Sequence, residues 1–550
     1  MPHGFWTVAR DHFLYLAIIA VYCLPYLFER DLFFRDESRY GSVVKEIIQN
    51  DTWFTLTIGD EYYPDKPPLF FSLIRLVTEL TGTTAPGVFF IVVALTAFFF
   101  LAASDAFLRA AGFGRRTIRT ANLVLLAVPW IAIHMQIVRM DLLFSGLILF
   151  SIATYIRGIE RGNTNFRPLL GGLLAGLAVL VKGPFGALIP LLAVLAYLAA
   201  TRRLRRLVRA DLLWSLAPLL LPALLWLVSL HATFGSRIFE ELFAEQIIER
   251  ALSGRDSNRA WWLYPLWLAG TLMPWLLFAP VFLTKRIRES VFGAMPAYDR
   301  VRPSPGLRFI VPYLVIVVLL LSLVAQKNIH FLLPVAPALM VLVAIAYWRL
   351  DAGAPRIVDW FYVALASTAL IAPPALVWAI SFASAKDQAG LANYVSLETL
   401  TQAAAALSLT AIPLAIAARL RGEARLVAGV VATAIIVIAV KAIILPDLDR
   451  VFSPRHIAAS FDRQVPEGRP ILVYDIYRGS LSYHFDHHLV YVEDVEEIRD
   501  RIGGTVEPTY VIAKTGTWRR DTNLWAGFSV IAEGRLETTD LVLLSRSAGD

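Results

Sequence analysis

Asp36, Glu37, Lys66, Arg139, Asp141, Lys182, Lys327 and His330 all fall beside long apolar stretches. Ionisable groups next to such stretches are costly to keep and therefore mark functional positions. The carboxylates can act as a base or orient a reactant, and the lysines and arginine can hold an anion such as a phosphate. Asp36-Glu37 follows Leu32-Phe33-Phe34-Arg35, and the run Tyr62-Tyr63-Pro64-Asp65-Lys66-Pro67-Pro68 closes the same loop. Tyr62 and Tyr63 thereby join the candidate substrate-binding residues. Plainer roles compete with these. Asp36 sits where a helix N-cap would, and aspartate is a favoured cap. The cluster as a whole could be an ion-pair network that satisfies helix ends, and His330 a satisfied interfacial histidine. His484-Phe485-Asp486-His487-His488 places imidazoles and a carboxylate close together, as metal ligands often are. With no second cluster at a matching spacing, it reads as a solvated turn, and no metal is indicated.

These residues need a scaffold, and composition names its class. With 57% hydrophobic and 17% charged residues, and a mean hydropathy of +0.60, the chain reads as an integral membrane protein. A bilayer-spanning helix needs about 20 mostly apolar residues. Windows that meet this lie near 11–30, 86–104, 120–136, 142–156, 168–181, 184–200, 211–230, 261–283, 309–325, 331–348, 358–383, 401–418 and 426–445. That gives about thirteen spans. The first span runs on without a small-residue cleavage site and reads as a retained anchor. The net charge of +7 is no sign of nucleic-acid binding. Its arginines gather between spans, at Arg109, Arg115, Arg116 and Arg119 and again at Arg202, Arg203, Arg205, Arg206 and Arg209. The positive-inside rule puts those loops in the cytoplasm, and the basic loop 285–308 with them. The candidate residues and the mixed-charge loop 232–260 then share the opposite side. Residues 43–48 carry Val43, Val44, Ile47 and Ile48 on one face, which suits a short helix lying in the membrane interface. The only cysteine, Cys23, lies inside the first span, so there is no disulfide framework or cysteine metal site.

After Pro446 the pattern changes. Segments starting at Ile471, His488 and Thr509 read as short buried strands, with helices near 453–463, 479–485 and 494–502. Phe528–Ile531 and Leu541–Leu544 read as a terminal hairpin. The expectation is a transmembrane domain over 1–445, with first loop 31–68, and a small α/β soluble domain over 446–550.

Asp36-Glu37, Tyr63-Pro64-Asp65-Lys66-Pro67-Pro68, Arg139-Met140-Asp141, Val181-Lys182-Gly183-Pro184 and Lys327-Asn328-Ile329-His330-Phe331-Leu332-Leu333-Pro334 occur in that order. Together they resemble the GT-C glycosyltransferases of the bacterial protein-O-mannosyltransferase-like branch. That branch includes the lipid A 4-amino-4-deoxy-L-arabinose transferases. The resemblance implies a polytopic α-helical inner-membrane enzyme with a periplasmic active site and a polyprenyl-phosphate-linked sugar donor. It also implies a first-loop aspartate, Asp36, near the reaction centre. Lipid A is the acceptor expected first, and a protein hydroxyl or another glycan is the alternative. Met140-Asp141-Leu142 and Phe331 stand where the aminoarabinose transferases are expected to carry Leu-Asp-Pro and a tyrosine, and the Arg-Met-Asp form looks more like general members of the branch. In this reading Lys66, Lys182 and Arg139 hold the donor phosphate, and Asp36, Glu37 and Asp141 serve the chemistry by an inverting attack. Tyr62, Tyr63, Lys327 and His330 complete the substrate site, and no cofactor is required. A flippase or transporter of lipid-linked sugars is the rival from another class. Such proteins often show internal repeats, and the sequence shows none.

Topology gives the first test. A reporter fused after Asp447 or at Asp550 is expected to be active only in the periplasm, and one within 201–210 only in the cytoplasm. A cytoplasmic C-terminus would separate the candidate residues from the C-terminal domain.

Overall fold

The computed structural model describes residues 2–59, 61–161, 166–236, 238, 260–278, 305–324, 327–492, 497–498, 509–520 and 525–546. Among these, eight helices are long and apolar enough to cross a membrane, and the chain is a multi-pass membrane protein. The expected span at 120–136 is two helices, Arg115–Leu126 and Pro129–His134. Pro129 sits at the start of the second, where its missing N–H costs nothing. The expected spans at 168–181 and 184–200 are the helices Arg167–Lys182 and Phe185–Ala200. They meet at Gly183, whose φ of 81° suits glycine. Much of the loops 232–260 and 285–308, and the end of the span expected at 261–283, lie outside the described residues.

The buried helices around the site are Pro86–Ala110 and Asp141–Arg161. Phe100, Phe107, Leu149 and Ile152 are fully buried within a core that runs through the helical part. The first loop packs onto this core. It holds the helix Asp36–Gln49, a two-stranded antiparallel hairpin (β1, Thr57–Ile58; β2, Glu61–Tyr62) and the helix Leu69–Thr81. The apolar face expected to lie in the membrane interface is covered by protein instead. Tyr40, Val43 and Ile47 are buried with Phe70, Phe71 and Ile74 of the neighbouring helix. The aromatic rings of Tyr40 and Phe71 meet edge to face at 5.3 Å, the geometry that ring quadrupoles favour.

Beyond the helices lie β3 (Ile471–Tyr474), β4 (Leu489–Val492), β5 (Thr509–Lys514), β6 (Phe528–Leu536) and β7 (Thr539–Arg546). They form one sheet in the order β4-β3-β5-β7-β6. β3 pairs in parallel with β4 and β5, and β6–β7 is the expected antiparallel hairpin. The helix Arg455–Asp462 covers one face through Ile457 and Phe461. Trp525 and Ile498 cover the other. A short helix, Thr515–Arg520, was not expected.

The helix expected over 479–485 is a run of turns. Carbonyls of this segment are taken by side chains from outside it. Gly479 O, Ser480 O, Ser482 O and Phe485 O accept hydrogen bonds from Ser42, Ser38 and Lys45 of the first-loop helix. The helix expected over 494–502 lies mostly outside the described residues.

Candidate functional site

The site begins where the chain turns at Arg35. With a φ of 72°, Arg35 is the residue before the helix, and no side chain caps it. Asp36 is therefore the first helical residue and not the cap. Its carboxylate instead faces two guanidinium groups. Arg139 Nη2 lies 2.5 Å from Oδ2 and Arg39 Nη2 lies 3.4 Å from Oδ1. A carboxylate and a guanidinium make one of the stronger hydrogen-bonded pairs available to a protein.

Glu37 is one residue on, about 100° around the helix, and its role differs. Its Oε2 accepts from Arg30 at 2.7 Å and from the Phe33 amide at 3.1 Å. Its Oε1 accepts from the Val138 amide at 2.8 Å. Glu37 is buried and accepts three hydrogen bonds, so its carboxylate ties elements of the protein together. It pins the segment around 138 to the first loop, and that segment carries Arg139. Arg30 completes the tie by donating to the Gln136 carbonyl.

Asp141 opens the helix Asp141–Arg161, and its buried side chain pairs with Lys182 at the end of the helix Arg167–Lys182. A cation there also meets the negative end of its own helix. Lys182 Nζ lies 4.4 Å from the centre of the Phe331 ring, within cation–π reach. His330 hydrogen-bonds His134, which accompanies Asp141 in the same neighbourhood. A second thread leads out from Asp36. Arg39 reaches Asp65 at 2.9 Å, and Asp65 lies 3.4 Å from Lys66 and 3.3 Å from the Tyr63 hydroxyl.

A cavity of about 380 Å³ opens against these groups. Its lining includes Asp36, Glu37 and Arg139 together with apolar residues such as Leu27, Phe33, Phe90, Ile133 and Val437. Arg30 and Lys441 also border it. Pockets of this kind suit a mostly hydrocarbon ligand with a polar end.

Residues 65–229 match the family described as dolichyl-phosphate-mannose-protein mannosyltransferase. The fold is similar to that of ArnT from Cupriavidus metallidurans, solved bound to undecaprenyl phosphate. The TM-score is 0.76 at 18% identity, covering 99% of this chain and 98% of that one. The same protein in the apo state gives a TM-score of 0.75. The resemblance to the GT-C glycosyltransferases holds. In sequence, the chain is 27% identical to an undecaprenyl phosphate-alpha-4-amino-4-deoxy-L-arabinose arabinosyl transferase of Aeromonas hydrophila subsp. hydrophila, over 62% of this chain and 60% of that one. A relative of the same name from Pseudomonas fluorescens is 28% identical over 50% of this chain and 49% of the other. The chain thus spans about half to three-fifths of the curated relatives it matches.

On this scaffold the expected residues divide. Asp36, Arg139, Asp141, Lys182 and His330 come together, and Arg39 and Asp65 link them to Lys66 and Tyr63. Tyr62 does not join them. Its ring lies tilted against that of Phe234, with centroids 5.2 Å apart, in a cluster with Trp226 and Leu230. Lys327 is buried and donates to the Val324 carbonyl at 2.7 Å, so it finishes its own helix end. Arg39 and His134 were missed. Arg39 carried a signal in its position three after Asp36, the spacing of neighbours on a helix.

The histidine-rich run lies in turns with Asp486 and His488 exposed, as expected, but two of its histidines are paired. His484 is buried and pairs with Asp31 at 2.9 Å, and His487 pairs with Asp462 at 2.8 Å. Burial alone would raise the Asp31 pKa. Hydrogen bonds to His484 and Ser453 and the charge of Arg455 outweigh it and hold the carboxyl down at about 2. Among the described residues, no group of three or more His, Cys, Asp or Glu side chains is placed to hold a metal.

The Asp141–Lys182 pair can be tested by stability. Lys182→Met leaves the Asp141 carboxylate buried without its partner, and is expected to cost about 3–5 kcal/mol in thermal unfolding of the detergent-solubilised protein. The double variant Lys182→Met/Asp141→Leu should recover most of that loss. Equal stability of Lys182→Met and the unmodified protein would mean the pair does not hold these helices.

Proposed function

We propose that the protein is an inner-membrane glycosyltransferase that moves a sugar from a polyprenyl-phosphate carrier to an acceptor on the periplasmic side. The observation that carries this is the mostly apolar cavity whose lining includes the Asp36–Arg139 pair. A lipid-linked substrate has that shape, with a long hydrocarbon chain and one anionic head. The names of the curated relatives and the undecaprenyl phosphate bound to the structurally similar ArnT support the same reading. They favour aminoarabinose as the sugar, and lipid A is the acceptor that the family resemblance leads us to propose. In the same reading the chain crosses the membrane about thirteen times, and residues 446–550 form a periplasmic domain.

The reaction then runs as follows. The acceptor oxygen attacks the anomeric carbon of the donor sugar opposite the phosphate, the bond from that carbon to the phosphate oxygen breaks, and polyprenyl phosphate leaves. The configuration inverts. Where the acceptor is a hydroxyl, Asp36 takes its proton. Where it is a phosphate of lipid A, the acceptor is already anionic, and Asp36 with its arginines only orients it. Lys66, Lys182 and Arg139 hold the departing phosphate and offset its developing charge. Before the donor arrives, Lys66 and Lys182 rest on Asp65 and Asp141. The donor phosphate competes with those carboxylates, which keep the cations in place without filling the site permanently. Tyr63 and His330 border the same groups.

Two variants separate these roles. With a hydroxyl acceptor, Asp36→Asn is expected to leave yield and thermal stability unchanged while turnover falls at least about a hundredfold, since asparagine cannot accept the proton. Lys66→Met should weaken donor binding about ten- to a hundredfold, the value of a charge-assisted hydrogen bond. Normal turnover in Asp36→Asn would move the catalytic role to Asp141. Normal donor affinity in Lys66→Met would place the phosphate elsewhere.

A further inference from the structure

We propose that the segment Tyr477–Phe485 of the C-terminal unit is the positioning device for Asp36, and that Lys45 is its main anchor on the first-loop helix. The proposal rests on the glycosyltransferase reading above and adds a role for a part of the chain that carries none of the reacting groups.

The contacts follow one face of the helix Asp36–Gln49. Ser38 Oγ donates to Ser480 O at 2.7 Å, and Ser42 Oγ donates to Gly479 O at 2.7 Å. Lys45 Nζ donates to Ser482 O at 3.0 Å and to Phe485 O at 2.6 Å. At about 100° per residue, positions 38, 42 and 45 lie roughly 180–240° around the helix from Asp36. The segment therefore backs the helix on the side opposite the carboxylate, which faces Arg139. Gly41 allows the approach, because a Cβ there would lie 2.7 Å from a ring carbon of Tyr483.

Neighbouring contacts fix the segment itself. Tyr483 donates through its hydroxyl to the Thr84 carbonyl at 2.6 Å, and Arg478 donates to the Ile58 carbonyl at 2.8 Å. His484 pairs with buried Asp31, five residues before Asp36. The Tyr477 ring lies 4.6 Å from the guanidinium carbon of Arg39, the second arginine on Asp36. Depth and rotation of the helix are thus set from behind by backbone carbonyls more than 430 residues away in sequence. Small displacements of a reacting group lower rates steeply without requiring loss of binding.

The test compares full-length Lys45→Met and Lys45→Arg with the unmodified protein, and adds Ser42→Ala as a milder second variant. Amide hydrogen exchange over 36–49, donor affinity, kcat and thermal stability are measured on each. The expected result is faster exchange in 36–49 and a kcat lowered at least about tenfold in Lys45→Met. Donor affinity and thermal stability stay unchanged. Ser42→Ala shifts in the same direction, and Lys45→Arg restores both readouts, because its guanidinium still reaches the carbonyls. Unchanged exchange in Lys45→Met overturns the anchoring claim. Faster exchange with normal kcat overturns the positioning claim. Failure of the underlying reading shows separately, as no acceptor-dependent release of polyprenyl phosphate by the unmodified protein.

Discussion

A charge taken out of water must find a partner, and that constraint organises this molecule. Asp36, Glu37 and Asp141 lie at or below the protein surface among apolar side chains, and each is met by a cation or a set of amides. The partners come from different helices, so satisfying three carboxylates fixes the relative placement of the first loop, the segment around 138 and the end of the helix Arg167–Lys182. Removing one partner of a buried pair costs far more than the pair contributes against an apolar replacement. The arrangement is better understood as a way of specifying geometry than as a source of stability.

The same constraint divides labour between adjacent residues. Glu37 has three donors and is used up in holding the loop. Asp36 has two arginines and a side chain still more than one-third exposed, at the edge of a mostly apolar cavity. The cations that line the cavity are held by carboxylates and by backbone carbonyls: Arg139 by Asp36, Arg30 by Glu37 and the Gln136 carbonyl, and Lys441 by the Tyr22 and Cys23 carbonyls.

Much of this was legible in the sequence, for a physical reason. Charged residues beside apolar spans are rare, so Asp36, Arg139, Asp141, Lys182 and His330 stood out by position alone, and the strands β3 to β7 by their apolar runs. Pairing was not legible. Glu37 looked equal to Asp36, and only the turn at Arg35 and the distant Val138 amide tell them apart. The Tyr62 ring packs against Phe234, whereas the Tyr63 hydroxyl reaches Asp65. The local pattern at 479–485 favoured a helix, but its carbonyls are claimed by side chains more than 430 residues away. His484 read as solvated for the same reason, since its partner Asp31 lies at the other end of the chain.

Chemical transfer of the sugar is the central claim, and product analysis of the purified protein tests it most directly. Given polyprenyl-phosphate sugar, the protein should release free polyprenyl phosphate only when an acceptor such as lipid A is present, with the sugar recovered on the acceptor. Movement of intact lipid-linked sugar across a vesicle membrane, with no polyprenyl phosphate released under any acceptor, would contradict the account and identify a transporter.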